Sequence, residues 1–368
     1  MGNWKNGELG DFVTLKRGFD LPQQKREDGQ VPIFSSSGIT GTHSTAMVKA
    51  PGVITGRYGT IGEVFYAAKD FWPLNTTLFV EDFHGNDAKF IYYFLKTLEW
   101  SKFTSASAVP GINRNTVHKE IVSLPDIETQ RRIASTLSMF DEKIKINTEI
   151  NDNLQQQLFS LYENMAMTSP CLKEYTLSNL CDFQEGYVNP PQTHPEYFDG
   201  EVKWLRAVDI NESFIIETSR TLTKAGFESA KKSALLFEPS TIAISKSGTI
   251  GRLGIIADYM CGNRAVINIA PHDTNMLAFI YCFLKSKQRE FPDMAVGSVQ
   301  KNLYVSLLEP LSVSVPDNES LTAFNAVGAS ILGMIHNNCV ENKNLTNLRD
   351  TILPKLMSGA IDVSAVKL

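Results

Sequence analysis

Two short turns carry the side chains best suited to hold a polar ligand. Gly59–Gly62 and Gly248–Gly251 both read Gly-Thr-Ile-Gly. Arg57 and Tyr58 precede the first, Lys246 and Ser247 precede the second, and Arg252 follows it. Glycine permits a tight turn and close backbone approach to a ligand. A cation with hydroxyls beside it suits a phosphate oxygen or the edge of a nucleic-acid base. The bland alternative is a hairpin turn with solvated charges. Other polar loops offer the same chemistry. Asn113-Arg114-Asn115 sets amides that pair with adenine around an Arg that pairs with guanine. Lys16 and Arg17 precede Gly18, and Ser36 lies in a hydroxyl-rich run, Ser35–Gly38. Arg206, Lys231, Lys232, Arg264 and Lys301 are candidates in the C-terminal half, each with a plain reading as a surface charge.

No catalytic constellation accompanies them. The chain lacks a Walker A motif, Gly-x-Ser-x-Gly, and a carboxylate pair with a nearby base. Val188-Asn-Pro-Pro191 is similar to the Asn-Pro-Pro-aromatic motif of amino-methyltransferases. Gln192 stands where the aromatic belongs, and no glycine-rich cofactor fingerprint precedes it. Five scattered cysteines without CxxC spacing suit reduced thiols in the cytoplasm, and six isolated histidines offer no metal cluster. No apolar run reaches membrane-span length. The net charge of −5 excludes a chain that is basic all over, yet leaves room for local basic faces.

The elements that position these loops occur twice. Pro51–Val80 and Pro239–Ile269 each hold a strand, the Gly-Thr-Ile-Gly turn, a second strand, and an Asn (Asn75, Asn263) before a third. The tetrads lie about 189 residues apart, the spacing of an internal repeat. Phe90–Lys96 answers Phe279–Lys285, Ile112–Asn115 answers Val299–Asn302, and Leu124-Pro-Asp126 answers Val315-Pro-Asp317. The short β-branched runs, bounded by Gly, Pro, Asn and Ser, predict strand-rich heads with one or two helices, an α+β class.

Each head leads into a long amphipathic stretch. Ile133, Leu137, Phe140, Ile144, Asn147, Asn151, Leu154, Leu158, Leu161 and Met165 follow at alternating steps of four and three, the seam of a coiled coil. Phe324, Ile331, Ile335, Asn338, Asn342, Leu345, Leu348, Ile352 and Leu356 repeat it at an offset of about 191. At about 1.5 Å per residue the first rod is on the order of 60 Å long. Antiparallel packing would let the asparagines of the two seams satisfy each other, with Ile144, Leu154, Ile335 and Leu345 beside them. Separate amphipathic helices on separate cores are the alternative. The expected division is a first head over 1–126, a helix over 127–168, a second head over 169–316, a helix over 317–359, and a loosely held tail over 360–368. Two such heads on a rod suit a ligand with two sites at fixed spacing, of which duplex DNA is the commonest.

With these features in order, the whole chain resembles the specificity subunit of type I restriction–modification systems. The resemblance rests on the duplicated strand–Gly-x-x-Gly–strand unit and on Pro125, Gln130 and Ile133 in Pro-x-x-x-x-Gln-x-x-Ile. It rests further on Asp141, Ile144, Asn147, Asn151 and Leu154 in the first helix, and on Leu353–Gly359 closing the second. The second lead-in, Pro316–Leu321, departs from the pattern by lacking the Gln. The resemblance implies a non-catalytic subunit. Each target-recognition domain would read one half of a bipartite DNA target, while the helices set the spacer and dock two modification subunits. No cofactor is expected in this chain. S-adenosylmethionine, and ATP with Mg for restriction, would sit on partner subunits, restriction or motor subunits being further partners where a nuclease exists. A specificity subunit of a methyltransferase-only or phage-defence system, a stand-alone DNA methyltransferase and a structural scaffold remain as alternatives. A cytoplasmic place of action follows from the same resemblance.

Overall fold

The computed structural model describes residues 4–104, 110–298 and 300–365. Val299 of the second polar loop and Val366–Leu368 of the tail lie outside the described residues. The chain divides into two compact units, Met1–Glu142 with Leu345–Leu368, and Lys143–Asn344. Each unit thus holds one head and half of each long helix, a different cut from the head-and-rod division expected. The reason is packing: the helix halves are part of each head's core. Ile133, Leu137, Leu353 and Leu356 join the core of the first unit, and Leu158, Met165, Ile331 and Ile335 that of the second.

In the first unit, strand Gly52–Gly56 is buried at every position, because sheet neighbours and apolar layers enclose it. It lies between Thr77–Asp82 and Val64–Ala67, and Thr14–Arg17 closes the other edge, all antiparallel. A second sheet orders Gly38–His43, Val31–Ser35 and Trp72–Pro73. Helix Ala88–Lys96 is started by the Asp87 carboxylate, which accepts the Phe90 N–H at 2.9 Å. It buries Phe90, Ile91, Tyr93, Phe94 and Leu95. Full burial of one such side chain contributes about 1.5–3 kcal/mol. A ribbon of Trp4–Glu8 and Ile121–Pro125 leads out to the long helix.

The second unit repeats the frame. Cys181–Glu185, Val266–Pro271, Ile242–Ser245 and Leu253–Ile256 take the places of the four strands, and Phe214–Ile215 adds a fifth in parallel. Phe198–Leu205 forms a smaller sheet with Thr221–Leu222 and Cys261–Gly262. Helix Leu277–Lys287 answers Ala88–Lys96, and the ribbon is Leu172–Thr176 with Ser312–Pro316.

The long helices span Ile127–Thr168 and Asn318–Met357. The Pro-Asp lead-ins have a local cause. Pro ends the ribbon strand, and the Asp carboxylate caps the helix. Asp126 accepts from the Thr129 N–H at 2.9 Å, and Asp317 from the Ser320 N–H at 3.0 Å. Gln130 is buried, donating to Asn86 Oδ1 and Pro125 O and accepting from the Asp87 N–H. It ties the helix to the first head, which explains the spacing Pro-x-x-x-x-Gln. At the equivalent place in the second unit Leu321 packs into the core instead.

Within each unit the two helices run antiparallel. In the first, Arg349 pairs with Asp141. In the second, Asn147 faces Asn342 and Asn151 faces Asn338. Two seam positions are corrected. Leu161 and Leu348 are exposed, at 41% and 50%. Tyr162 turns inward in place of Leu161, against Phe279 and Phe324, so the head sets the phase of that turn. Near Leu348 the inward group is Arg349, drawn to Asp141. The tail is also corrected, because it is docked through Val363 and Ser364. Val363 is buried in the first core, and Arg132 donates to the Ser364 carbonyl.

Candidate nucleic-acid interface

Five of the sequence candidates meet in the first head. Arg17, Arg57, Tyr58, Asn113 and Arg114 line one recess of about 440 Å³, with Gly111 and Asn115 at its side and Leu78 and Ile112 among its walls. Arg17 ends strand Thr14–Arg17, and Arg57 is the first residue after Gly52–Gly56. The Arg57 guanidinium lies 4.5 Å from the centre of the Tyr58 ring, a cation–π contact. Gly111 is required here: a Cβ on it would stand 2.2 Å from the Tyr58 ring. Gly59 and Gly62 have φ of 77° and 90°, the left-handed region that favours glycine. Ser36 lies against this turn, its Oγ 3.2 Å from where a Cβ on Gly59 would be. The Asn113 side-chain oxygen caps the short helix Arg114–His118 by accepting the Asn115 N–H at 3.0 Å, so its NH₂ group is not used by the cap. Among the described residues that line the recess, none is acidic. Lys16, although adjacent to Arg17, sits on the opposite face of its strand and pairs with Glu81.

The second head builds the same turn with different chemistry. Gly248 and Gly251 again have φ of 75° and 85°. Lys246 is largely covered, and its Nζ donates to Glu185 Oε1 at 2.7 Å and lies 4.8 Å from the centre of the Tyr304 ring. Burial pushes the Glu185 carboxyl up, but hydrogen bonds from Lys246 and Tyr187 outweigh it and hold the carboxyl below its ordinary value. Ser247 is half-buried on the turn, and the Arg252 N–H donates to Ser245 Oγ at 2.8 Å. Arg206 is held inside its own head. It contacts Asp209, donates to Ser219 and lies over Trp204. Lys301 and Lys232 are exposed and stand apart from the recesses described.

Backbone bonding corrects the matching of the polar loops. Ile112 N–H donates to the Arg57 carbonyl at 3.0 Å, and Leu303 N–H donates to the Lys246 carbonyl at 2.9 Å. Ile112 therefore answers Leu303, Asn113 answers Tyr304 and Arg114 answers Val305. Lys301 is not the counterpart of Arg114. In the same way Thr77 N–H donates to the Leu74 carbonyl and Val266 N–H to the Asn263 carbonyl. Asn75 thus answers Arg264, one place beyond Asn263.

Arg264 belongs to a second recess of about 610 Å³ in this head, with Tyr187, Asn189, His194, Tyr197 and Lys231. His194 stacks on Tyr197 at 4.9 Å between ring centroids, and Tyr187 is 51% exposed. Exposed aromatic faces beside cations are a surface that nucleic-acid bases stack on. Tyr187, Asn189, His194 and Tyr197 were not among the sequence candidates, which were chosen for cations, hydroxyls and amides on glycine-bounded or basic loops. The one available signal was the polar, proline-rich loop after Gly186. Val188 of that loop is buried, and its carbonyl accepts the Trp204 indole N–H at 2.7 Å, so Val188-Asn-Pro-Pro191 is anchored by structure.

The seam asparagines form a separate site. Asn147, 1% exposed, donates to Asn342 Oδ1 at 2.9 Å and to Glu341 Oε2 at 2.7 Å. Asn338 donates to Asn151 Oδ1 at 2.8 Å. Ile335 is buried, while Ile144, Leu154 and Leu345 are half-buried. Among the described residues no group of three or more His, Cys, Asp or Glu could hold a metal ion, and no helix is long and apolar enough to cross a membrane. Burial pushes the thiols of Cys181, Cys261 and Cys282 up to about 12, so all three stay protonated.

Residues 1–156 and 172–347 match the family described as the type I restriction modification DNA specificity domain. The type I restriction enzyme HindI specificity subunit of Haemophilus influenzae is 22% identical, over 72% of this chain and 75% of that one. The MjaIX specificity subunit of Methanocaldococcus jannaschii is 23% identical, over 76% and 70%. The crystal structure of a type I restriction–modification S subunit from M. genitalium has a similar fold, with a TM-score of 0.59 over 96% of both chains at 20% identity.

Proposed function

The chain belongs to the family of type I restriction–modification DNA specificity domains, and from that premise we propose how its parts divide the work of a DNA-recognition subunit. Each head reads one half of a bipartite duplex target. The first head does so through Arg17, Arg57, Tyr58, Asn113 and Arg114. The second uses Tyr187, Asn189, Lys231 and Arg264. The paired helices set the spacer between the halves and dock two modification subunits. S-adenosylmethionine sits on those subunits, and ATP and Mg on restriction subunits where they are present. The place of action is the cytoplasm.

The observation that carries this reading is the contrast between frame and loops. The strands, the positive-φ glycines and the lead-ins repeat, while the side chains around the repeated turns differ: Tyr58 against Ser247, Asn113 against Tyr304 and Arg114 against Val305. A duplicated frame with divergent contact residues reads two different half-sites. The seam supports the spacer role, since Asn147 with Asn342 and Asn338 with Asn151 are equivalent pairs under the repeat offset of about 191. Buried asparagine pairs fix helix register at a cost in stability.

The test is removal of one heptad from each helix at equivalent places. Seven residues at about 1.5 Å each shorten the helix pair by about 10 Å. At about 3.4 Å per base pair, the selected spacer should shorten by up to about three base pairs with both half-sites unchanged. An unchanged spacer in a complex that still binds DNA would refute the spacer role.

A further inference from the structure

The repeat allows the two heads to be compared position by position, and at one pair of positions the charge is reversed. Arg17 lies opposite Leu78 in its ladder, and Glu185 lies opposite Ile267 in the equivalent ladder. The glycine that follows each is held alike. Gly18 N–H donates to the Thr77 carbonyl at 3.1 Å, and Gly186 N–H donates to the Val266 carbonyl at 2.9 Å. A Cβ on Gly18 would stand 2.2 Å from the Leu74 carbonyl oxygen, and one on Gly186 2.3 Å from that of Asn263. Arg17 and Glu185 therefore occupy one position of a shared frame, as do Arg57 and Lys246.

In the second head the carboxylate at that position closes on the cation beside it. The Lys246 and Glu185 side chains are 14% and 19% exposed, and Tyr304 covers the ammonium group. That pair is satisfied internally and presents little to a ligand. In the first head the same position carries a second cation. Arg17 and Arg114 are exposed, Arg57 is half-buried, and among the described residues no carboxylate pairs with any of them. The recess is thus a set of donors without a counter-charge: three guanidinium groups and the Asn113 NH₂.

We infer, on the proposal that the heads read DNA, that the recess of Arg17, Arg57 and Arg114 is a guanine-reading site of the first head, and that the second head has no such site at the equivalent place. A recess whose charged groups are all donors favours a ligand edge made of acceptors. Guanine offers two on its major-groove edge, N7 and O6, spaced for a bidentate guanidinium. A phosphate also offers only acceptors. The wall favours the base: the half-buried Tyr58 ring lines the recess, with the Arg57 guanidinium 4.5 Å from its centre. A planar edge can lie against such a ring, whereas a hydrated tetrahedral anion gains nothing from it.

The test is selection from duplex DNA with a randomised window, using the full chain alone and with a co-expressed modification subunit. The wild type should select a split target with guanine in one half. Arg57→Gln and Arg17→Glu should each erase the preference for that guanine and leave the other half intact. Arg17→Glu copies the charge found at this position in the second head, so the frame is known to accept it, and the unchanged second half reports that the protein is folded. Replacing the selected guanine by 7-deazaguanine, which lacks the N7 acceptor, should weaken wild-type binding by about tenfold. It should change Arg57→Gln binding little. A uniform loss of affinity with base preference intact, and a salt dependence reduced by about one counterion, would place a phosphate in the recess and overturn the inference. A split target without guanine in the affected half overturns it too, while leaving the DNA-reading proposal standing. A wild type with no sequence preference overturns both.

Discussion

Replacing the asparagines of one seam pair gives a stability cycle whose sign pattern follows from their hydrogen bonds. Asn147 is buried, and its NH₂ serves both Asn342 and Glu341. Its own carbonyl oxygen, Oδ1, is buried without a partner, a cost of about 1–3 kcal/mol. Asn147→Leu removes that cost but takes the donor from Asn342 Oδ1. Asn342→Leu takes an acceptor from the Asn147 NH₂ and leaves the Asn147 Oδ1 unpaired as before. The double substitution replaces both polar groups by apolar ones of similar size, which is near neutral or stabilising. Each single variant should therefore lie below the value that additivity with the double would give, by a coupling of about 1–3 kcal/mol, within the range for residues in direct contact. For a unit of the size of Lys143–Asn344, each kcal/mol moves the unfolding midpoint by about 2–4 °C. Scanning calorimetry of the four proteins measures the cycle. Additivity within about 0.5 kcal/mol would mean that the amides do not sense each other, and the registering role would fall. Leucine at all four seam asparagines should raise the midpoint while loosening helix register, read as mixed association states in sedimentation.

Gln130→Ala strands the Asn86 carbonyl oxygen, the Pro125 carbonyl and the Asp87 N–H. It should cost about 2–4 kcal/mol in denaturant unfolding, because a fully buried unpaired group costs about 1–3 kcal/mol and two of these three bonds are only part-buried, so water relieves much of their share. A loss under about 0.5 kcal/mol would show that the helix is not tied to the head through this amide. The backbone and side-chain hydrogen bonds of Ser320, with that of Ser169, hold the Asp317 carboxyl at about 2, below its ordinary 3.8. A depressed carboxyl stabilises the fold above pH 3.8 and loses that contribution as the pH falls through about 2. Asp317→Asn should flatten stability against pH in that window, and an unchanged slope would contradict the capping role. Ending the chain at Gly359 removes Val363 from the core and the Arg132–Ser364 contact. A loss of about 1.5–3 kcal/mol is expected, and unchanged stability would mean that the docked tail contributes nothing.

The helices were legible because seam periodicity is local: no Pro or Gly interrupts the first, and the second keeps its stripe across Gly328 and Gly333. The lead-ins were legible for the same reason, since Pro and Asp act within one turn. The duplication could be seen because glycine at positive φ has no substitute, which preserves Gly59, Gly62, Gly248 and Gly251 as markers. Seam phase at Leu161 and Leu348 was not legible, because Tyr162 and Arg349 are turned inward by partners distant in sequence. The docked tail was hidden likewise, as its anchor is a pocket formed by the first helix and Trp4. Matching Arg114 with Lys301 followed residue type, whereas the ladder bonds at Arg57 and Lys246 set the true correspondence. Arg206 and Lys246 looked like free cations in sequence. Their partners, Asp209 and Glu185, show that one charge is locked locally and the other across two strands.

The most direct measurement is methylation mapping in cells that express this chain with a modification subunit. Methylated adenines should fall in a split motif, two defined halves with a fixed gap. Changing Tyr187, Lys231 and Arg264 to Ala should then alter one half, while the other half and the gap stay as they were. A contiguous motif, or methylation in which both halves change together, would contradict a chain that reads DNA with two independent heads.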